Sequence, residues 1–483
     1  MHIDCSRIVE LLRHPDSVAS DLFEAFTAGG LIYGMGEAYP SLITPSSCVL
    51  DSAETAAITA DLALIWGFYR TWNDLYRASL AGEEPRWIAD LCEYGLRPEE
   101  VQAQRITLAA GLEPRFCRVD YIAIGATRAI AEVQWKSGGV GLFFGIHDVC
   151  AGVASATAAR AGDLVQGLRA LILRCGNGEP IAVNAVRSVW LRGEHYLRRV
   201  CDHQGMRYIV FDRREGMRRI VERGGNVMVT DGGKLLRIDF LYAQELLPAI
   251  APPMIVRLAR AAADGRLWIE TPINYVYRQK WGMALPFMPA YAHLFDARLR
   301  ALFGAVVLLS PETIDLSPIA AGAPEGVARQ LCSIRTLDDL AHLSTAARRM
   351  LVLKCGAGIG AYYSQGRGVL RLNGSRSAAQ KTLAFVKERL VQGEPWMIQR
   401  YVDVTYPLDV CPPWALHALQ PIDAHARFMV YATVDPAGSP QMIGGLGNFS
   451  SDWKVSGRSA RIDEHGRIVG AAFNDMRWVG GEE

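Results

Sequence analysis

Apolar and polar positions alternate along this chain in three regimes. The first, to about residue 115, reads as mostly helical. DSAET at Asp51 is a helix start signal, and Ala57 to Tyr76 carries apolar residues at helical spacing. From 116 to 150 the pattern becomes two apolar strands joined by a tight turn, with a glycine-rich exit, SGGVGLFFG. From about 180 strand and helix patterns alternate. PIAVNAV and RYIVFD read as strands, EHYLRRVCDHQ and MRRIVERG as helices, and VMVTDGG closes a further strand. That punctuation predicts α/β structure with a parallel sheet. ALFGAVVLLSPET predicts a strand or short buried helix. RRMLVLK predicts a strand and SAAQKTLAFVKERLVQG a helix. Beyond Trp396 strands dominate: PWMIQRYVDV, ARFMVYATVD, SPQMIGGLG and GRIVGAAF.

The hairpin CRVDYIAIGATRAIAEVQW carries polar residues where a buried ribbon should be apolar. A three-residue connection centred on Ala126 sets Asp120 opposite Glu132 and Arg118 opposite Gln134. Alternate residues share a face, and so do directly opposed ones. All four polar groups therefore lie together, while Val119, Tyr121, Ala131, Val133 and Trp135 line the other face. Opposed carboxylates repel, and such a pair requires a shared proton or a bound cation. Oxygen donors without His or Cys suit Mg²⁺, and Arg118 is placed to clamp a phosphate. The competing expectation is an exposed polar sheet face with an Arg–Asp pair.

Composition narrows the classes. With 483 residues, half of them hydrophobic, the chain is long enough for two or three packed domains. A formal net charge of +1 with both signs dispersed gives no nucleic-acid footprint. The basic run RREGMRRIVER is mixed with acids and reads as a solvated helix face. The ten cysteines stand singly, without zinc spacing. Reduced thiols and no evident leader favour the cytoplasm. No apolar run reaches the ~18–20 residues of a membrane span.

A second cluster begins where the strand MLVLK ends. Lys354 is followed by CGAGIGAYYSQGRGV. A dinucleotide fingerprint would need a helix next and an acid ~20 residues on. A second glycine pair and the strand-like VLRL come instead, and no GxxxxGK[ST] occurs. What remains is a strand-end lysine with a glycine-rich hairpin able to fold over phosphates, or an ordinary surface loop. EPWMIQRYVDV is a candidate adenine edge, with Gln399 polar and Ile398 and Val402 lining the purine. Lys280 precedes a helical segment in NYVYRQKWGMAL.

In combination these pieces resemble the ATP-grasp fold in its circularly permuted form, as in glutathionylspermidine synthetases and eukaryotic-type glutathione synthetases. The match is R-x-D followed by E-x-N, here RVD at Arg118 to Asp120 and EVQ at Glu132 to Gln134. The resemblance covers roughly residues 116 to 455. It implies Mg²⁺ on Asp120, Glu132 and Gln134, with Arg118 as the catalytic cation on the transferring phosphoryl group. It implies ATP phosphates on Lys280 and Lys354 and a lid carrying Gly356, Gly358, Gly360 and Gly366. Gln399 and Tyr401 fall in the adenine hinge. ARFMVYATVD and GGLGNFSSDW resemble the late strands that complete the site. Lys136, Ser137, Gly138 and Arg427 fall on the substrate side. One departure is Gln134, where the family usually has Asn. An amidase-like cysteine domain is also missing, so glutathione and spermidine do not carry over as substrates.

The expected architecture is therefore α/β, a circularly permuted ATP-grasp with a pre-ATP-grasp domain. Residues 1–115 form a helical N-terminal region and 116–175 the metal-bearing hairpin with adjoining core. Residues 176–280 form the pre-ATP-grasp-like α/β domain, 281–405 the nucleotide subdomain, and 406–483 the closing strands. The implied activity is ATP-dependent ligation of a small carboxylate to an amine through an acyl phosphate. Amino acids or small peptides are the expected substrates, without nucleic acid or membrane; a homodimer is the candidate assembly, with the oligomeric state left open by the sequence. An ATP-grasp kinase and a non-catalytic nucleotide-binding protein are the alternatives.

Overall fold

The computed structural model describes residues 2–4, 42–43, 47–125, 127–135, 141, 163–174, 180–186, 191–203, 205–242, 247–358, 368–410, 420–435, 437–450, 461–462, 468–469 and 471–478. Among the described residues the chain opens with three short strands, β1 (His2–Asp4), β2 (Leu42–Ile43) and β3 (Ser47–Leu50). The helical expectation for the front is met, among the described residues, from Ser52 onward. Helix α1 (Ser52–Ala81) starts at Asp51 with a complete capping box: Glu54 N–H donates to Asp51 Oδ1 at 2.7 Å, and Asp51 N–H to Glu54 Oε2 at 3.1 Å. It stops at Gly82, whose φ of +82° a residue with a side chain rarely adopts. Helices α2 (Arg86–Cys92) and α3 (Pro98–Ala109) follow.

Next come the hairpin strands β4 (Phe116–Ala123) and β5 (Ala129–Gln134) and helix α4 (Asp163–Leu173). Then come β6 (Ile181–Val186), α5 (Leu191–His203) and β7 (Arg207–Asp212). Strands β8 (Ile220–Arg223), β9 (Asn226–Asp231), β10 (Lys234–Arg237) and β11 (Phe240–Tyr242) lead to α6 (Pro252–Ala263) and β12 (Trp268–Ile269). Strands β12, β11, β6 and β7 form, in that order, the expected parallel sheet. MRRIVERG is not a helix. Only Gly216–Arg219 is helical, and 220–223 pairs antiparallel with 226–229. Gly224 and Gly225, at φ +59° and +77°, make a tight turn with both central residues left-handed, and that turn folds the segment into a hairpin.

Helix α7 (Arg298–Phe303), strands β13 (Val306–Leu308), β14 (Leu351–Cys355) and β15 (Val369–Arg371), helix α8 (Arg376–Val391) and strand β16 (Trp396–Arg400) build a second lobe. Its sheet is antiparallel, in the order β13-β16-β14-β15. The chain ends in β17 (Thr405–Val410), β18 (Gln420–Val434), β19 (Pro440–Ser450), the short pair β20 (Arg461–Ile462) and β21 (Ile468–Val469), and β22 (Ala471–Trp478).

Chain start, hairpin and chain end share one sheet, ordered β1-β3-β22-β19-β18-β4-β5, with β17 on β18 and β2 on β22. One face of it packs on α1. Val119, Tyr121, Val133, Trp135, Phe428, Val430 and Phe449 share a core with Ile58, Leu62, Ile65, Trp66 and Tyr69. Trp135 meets the rings of Trp66 at 4.6 Å and Tyr69 at 5.0 Å, both edge-on. Helix α4 packs closely at Ile443 on β19: a Cβ on Gly167 would come within 2.5 Å of Ile443 Cγ2. No described helix is long and apolar enough to cross a membrane.

Candidate functional site

The hairpin has the expected register. Arg118 pairs with Gln134 and Asp120 with Glu132. The register slips next to Tyr121, which pairs with Ile130. Ile130 therefore enters the α1 core, and Ala131, expected there, does not. Ala126 lies outside the described residues. The polar face is not exposed: Asp120 is 0 % and Arg118 8 % accessible. Strand β18 pairs next to β4, with Met429 opposite Asp120 and Tyr431 opposite Arg118, so Arg427 falls on the same face.

Each carboxylate in this pocket is already engaged. Arg118 grips Asp120 with two parallel bonds, Nε to Oδ1 at 2.7 Å and Nη2 to Oδ2 at 2.9 Å. Arg427 Nη1 stands 3.7 Å from Asp120 Oδ2. Lys280 Nζ lies 2.5 Å from Glu132 Oε2, and the Gln134 amide donates to Glu132 Oε1. Burial pushes the Asp120 carboxyl above its ordinary value, against the pull of Arg118 and Arg427. Burial also works to raise Glu132, but Lys280, Arg427 and Arg118 outweigh it and hold that carboxyl well below its usual range.

Two side chains of the second lobe hydrogen-bond to the hairpin backbone. Lys354 Nζ donates to the carbonyl of Ala131 at 3.0 Å, and Gln399 Nε2 donates to the carbonyls of Phe303 and Ile130. Lys354 is buried, and that burial, with the charge of Lys280 nearby, lowers its pKa to about 8. Lys280 is brought beside it by close backbone packing: its N–H donates to the Gly356 carbonyl at 2.9 Å. A Cβ on Gly356 would sit 2.8 Å from Trp281 Cβ, and one on Gly358 would sit 2.9 Å from Arg278 Cβ. Both positions need glycine for the Lys280 segment to approach.

Four cations and two carboxylates thus meet at one end of the sheet. Among the candidates from sequence, Arg118, Asp120, Glu132, Gln134, Lys280, Lys354 and Arg427 come together, with Gly356 and Gly358 behind the lysines and Gln399 at the edge. Tyr401 stands off: its N–H donates to Met350 and its ring lies under Arg371, 4.0 Å from the guanidinium carbon. Ile398 is committed to the core of the second lobe, on the face away from Gln399. Lys136, Ser137, Gly138, Gly360 and Gly366 lie outside the described residues.

Sequence reasoning missed Asn448. It stands opposite Arg427 on β19, 1 % accessible, and its Oδ1 has no hydrogen-bond partner among the described residues. A lone amide in the glycine-rich strand MIGGLGNFS was the available signal.

No protein-family model matches the chain, and no curated protein matches it either. Solved structures do. A glutathione synthetase-like effector from Globodera pallida, in its apo form, is 11 % identical over 95 % of this chain and 96 % of its own, with a TM-score of 0.50. A provisionally named gamma-glutamylcysteine synthetase from Methylobacillus flagellatus is 10 % identical over 77 % of this chain and 85 % of its own, with a TM-score of 0.35. D-cycloserine synthetase is 15 % identical over 55 % of this chain and 90 % of its own, with a TM-score of 0.24. The first of these likenesses makes the mixed α/β architecture glutathione synthetase-like in fold.

Proposed function

We propose that this chain is an ATP-dependent carboxylate–amine ligase on a circularly permuted ATP-grasp frame, acting on small substrates of the amino-acid or short-peptide class. The observation that carries the proposal is the charge balance of the pocket. Among the described residues, Arg118 and Arg427 stand against Asp120, Lys280 pairs with Glu132, and Lys354 lies beside them, so four cations share two carboxylates. Buried cations in excess of their partners are costly unless an anion joins them. A nucleoside triphosphate supplies that anion, and its phosphates would draw Lys280 and Arg118 away from the two carboxylates.

The oxygens so released fit magnesium. Asp120 and Glu132 are hard carboxylate donors without His or Cys beside them, and Gln134 would contribute its carbonyl once its amide turns from Glu132. When bound, the ion would neutralise charge on the β- and γ-phosphoryl oxygens. The remaining roles belong to the chain. Lys354 and Lys280 hold the α- and β-phosphates. Arg118 faces the transferring phosphoryl group, where a fixed cation counts most. Gln399 is the polar group of the adenine edge. None of these residues forms a covalent bond; they position reactants and balance charge.

The test is purified protein with ATP, Mg²⁺ and pools of amino acids, scored for phosphate release and amide product. Phosphate with amide supports a ligase. ADP with a phosphorylated product points to a kinase. Tight nucleotide binding without turnover on any pool would point to a non-catalytic protein and sink the proposal.

A further inference from the structure

We infer that Asn448 and Arg427 form the subsite for the attacking amine, with Asn448 Oδ1 taking an N–H of that amine. The inference rests on the ligase reading and adds a substrate group and a residue to it.

The two side chains are cross-strand partners on the polar face of the sheet. Each has one polar atom left over among the described residues. Asn448 Oδ1 and Arg427 Nε are both buried without a hydrogen-bond partner among the described residues. Arg427 reaches Asp120 only at 3.7 Å, beyond hydrogen-bond range. A buried amide left unsatisfied lowers stability, whereas an apolar group of the same shape would not. A free donor and a free acceptor side by side make sense if a ligand completes both.

Their position says which ligand. The lysines reach the sheet at β5, Lys354 through the Ala131 carbonyl and Lys280 through Glu132. Strands β4, β18 and β19 follow outward from it. At the ordinary strand spacing β19 lies about 10 Å beyond β4. Arg427 and Asn448 are therefore across the phosphoryl site from the nucleotide, where the acyl group and its attacker must lie. Asn448 Oδ1 needs a partner that donates. The ionised phosphoryl oxygens of a magnesium-bound nucleotide and a carboxylate carry no proton at neutral pH; an amine does. Arg427 Nε needs an acceptor, and the acyl oxygen beside the attacked carbon is one. A neutral amide also suits the chemistry better than a carboxylate, which would favour the ammonium form without a lone pair. In the step, the nitrogen lone pair forms the C–N bond and the C–O bond to phosphate breaks. The bond pair leaves with phosphate, and a nitrogen proton ends on it.

The experiment compares wild type with Asn448→Leu, and with Asn448→Ala should leucine not be accommodated. Hydroxylamine serves as the amine, a mixture of proteinogenic amino acids as the carboxylate source, and coloured hydroxamate as the product. Thermal melting and ATP·Mg²⁺ affinity by calorimetry are measured alongside. The variant should melt no lower than wild type and keep its ATP affinity within about twofold, while its KM for hydroxylamine rises about tenfold or more with kcat changed much less. An unchanged KM in a folded variant overturns the inference alone. So does a loss of nucleotide affinity, which would make Asn448 a support of the phosphate site. No hydroxamate and no ADP from wild type overturns the ligase reading and this inference with it.

Discussion

The two faces of the β4–β5–β18 ribbon use the same strands for opposite ends. Residues of one parity, from Val119 to Phe428, sink into aromatic and aliphatic side chains of α1. Residues of the other parity gather charge: Arg118, Asp120, Glu132 and Arg427. The first face contributes stability by removing apolar area from water. The second costs stability, because desolvated charges are at best repaid by one another. A fold that keeps both on one ribbon ties the accuracy of the charged pocket to the rigidity of the packed face behind it.

That comparison predicts a clean separation under mutation. Glu132→Gln should abolish ATP-dependent product formation while the protein stays folded, since the amide oxygen still accepts from Lys280; Glu132→Ala would strand that lysine and lower the melt as well. Turnover near wild type would break the assignment of Glu132 to the phosphate and metal site. On the other face, Phe428→Ala removes a fully buried ring that meets Tyr406 at 5.3 Å and Phe449 at 5.8 Å. It should cost about 3–5 kcal/mol of unfolding free energy. Denaturant titration checks this; a loss under about 1 kcal/mol would mean the packed face is not the main source of rigidity.

Arg118→Ala ranks next. The expected loss is about 100-fold in turnover, the scale for a fixed charge at an anionic transition state. Asp120 loses its bidentate partner in this variant, so stability is measured too. A rate loss without a matching loss of nucleotide affinity assigns Arg118 to the transition state. Equal losses in both would make it a ground-state phosphate anchor.

What was legible in the sequence follows the range of the interactions. The hairpin register and its two faces were readable because alternation is local and the turn fixes the pairing. The strand-end position of Lys354 was readable for the same reason. The entry of β1, β2 and β3 into the large sheet was not: these strands of two to four residues gain their pairing from each other and from β22, over 400 residues downstream of β3. MRRIVERG misled because its apolar spacing suits a helix while Gly224 and Gly225 impose a turn. Ala131 was assigned to the wrong face because one slip beside Tyr121 moved Ile130 into the core. Asn448 gave only a weak signal, a lone amide in a glycine-rich strand, since its meaning depends on Arg427 opposite and on the polar atoms of the pair left without partners among the described residues.

The smallest predicted effect probes the charged face without mutating it. Burial, aided by Lys280, lowers Lys354 to about 8, against the opposite pull of Glu132 and Asp120. In the unfolded chain the group returns to about 10.4. Between these values the unfolded state binds more protons, so this group's contribution makes stability rise with pH through that window. An anion bound against Lys354 favours its charged form and raises the pKa again. At pH 8, where about half of the free sites are deprotonated, nucleotide binding should take up about half a proton through Lys354. At pH 6.5 that uptake should be close to zero, because the lysine is already charged. Calorimetric titrations of ATP·Mg²⁺ in buffers of different ionisation enthalpy measure this directly, and Lys354→Met should remove the difference between the two pH values. Binding enthalpies that do not depend on the buffer at pH 8 would mean the nucleotide phosphates do not reach Lys354. The charged face would then be a structural ion network rather than a phosphate site.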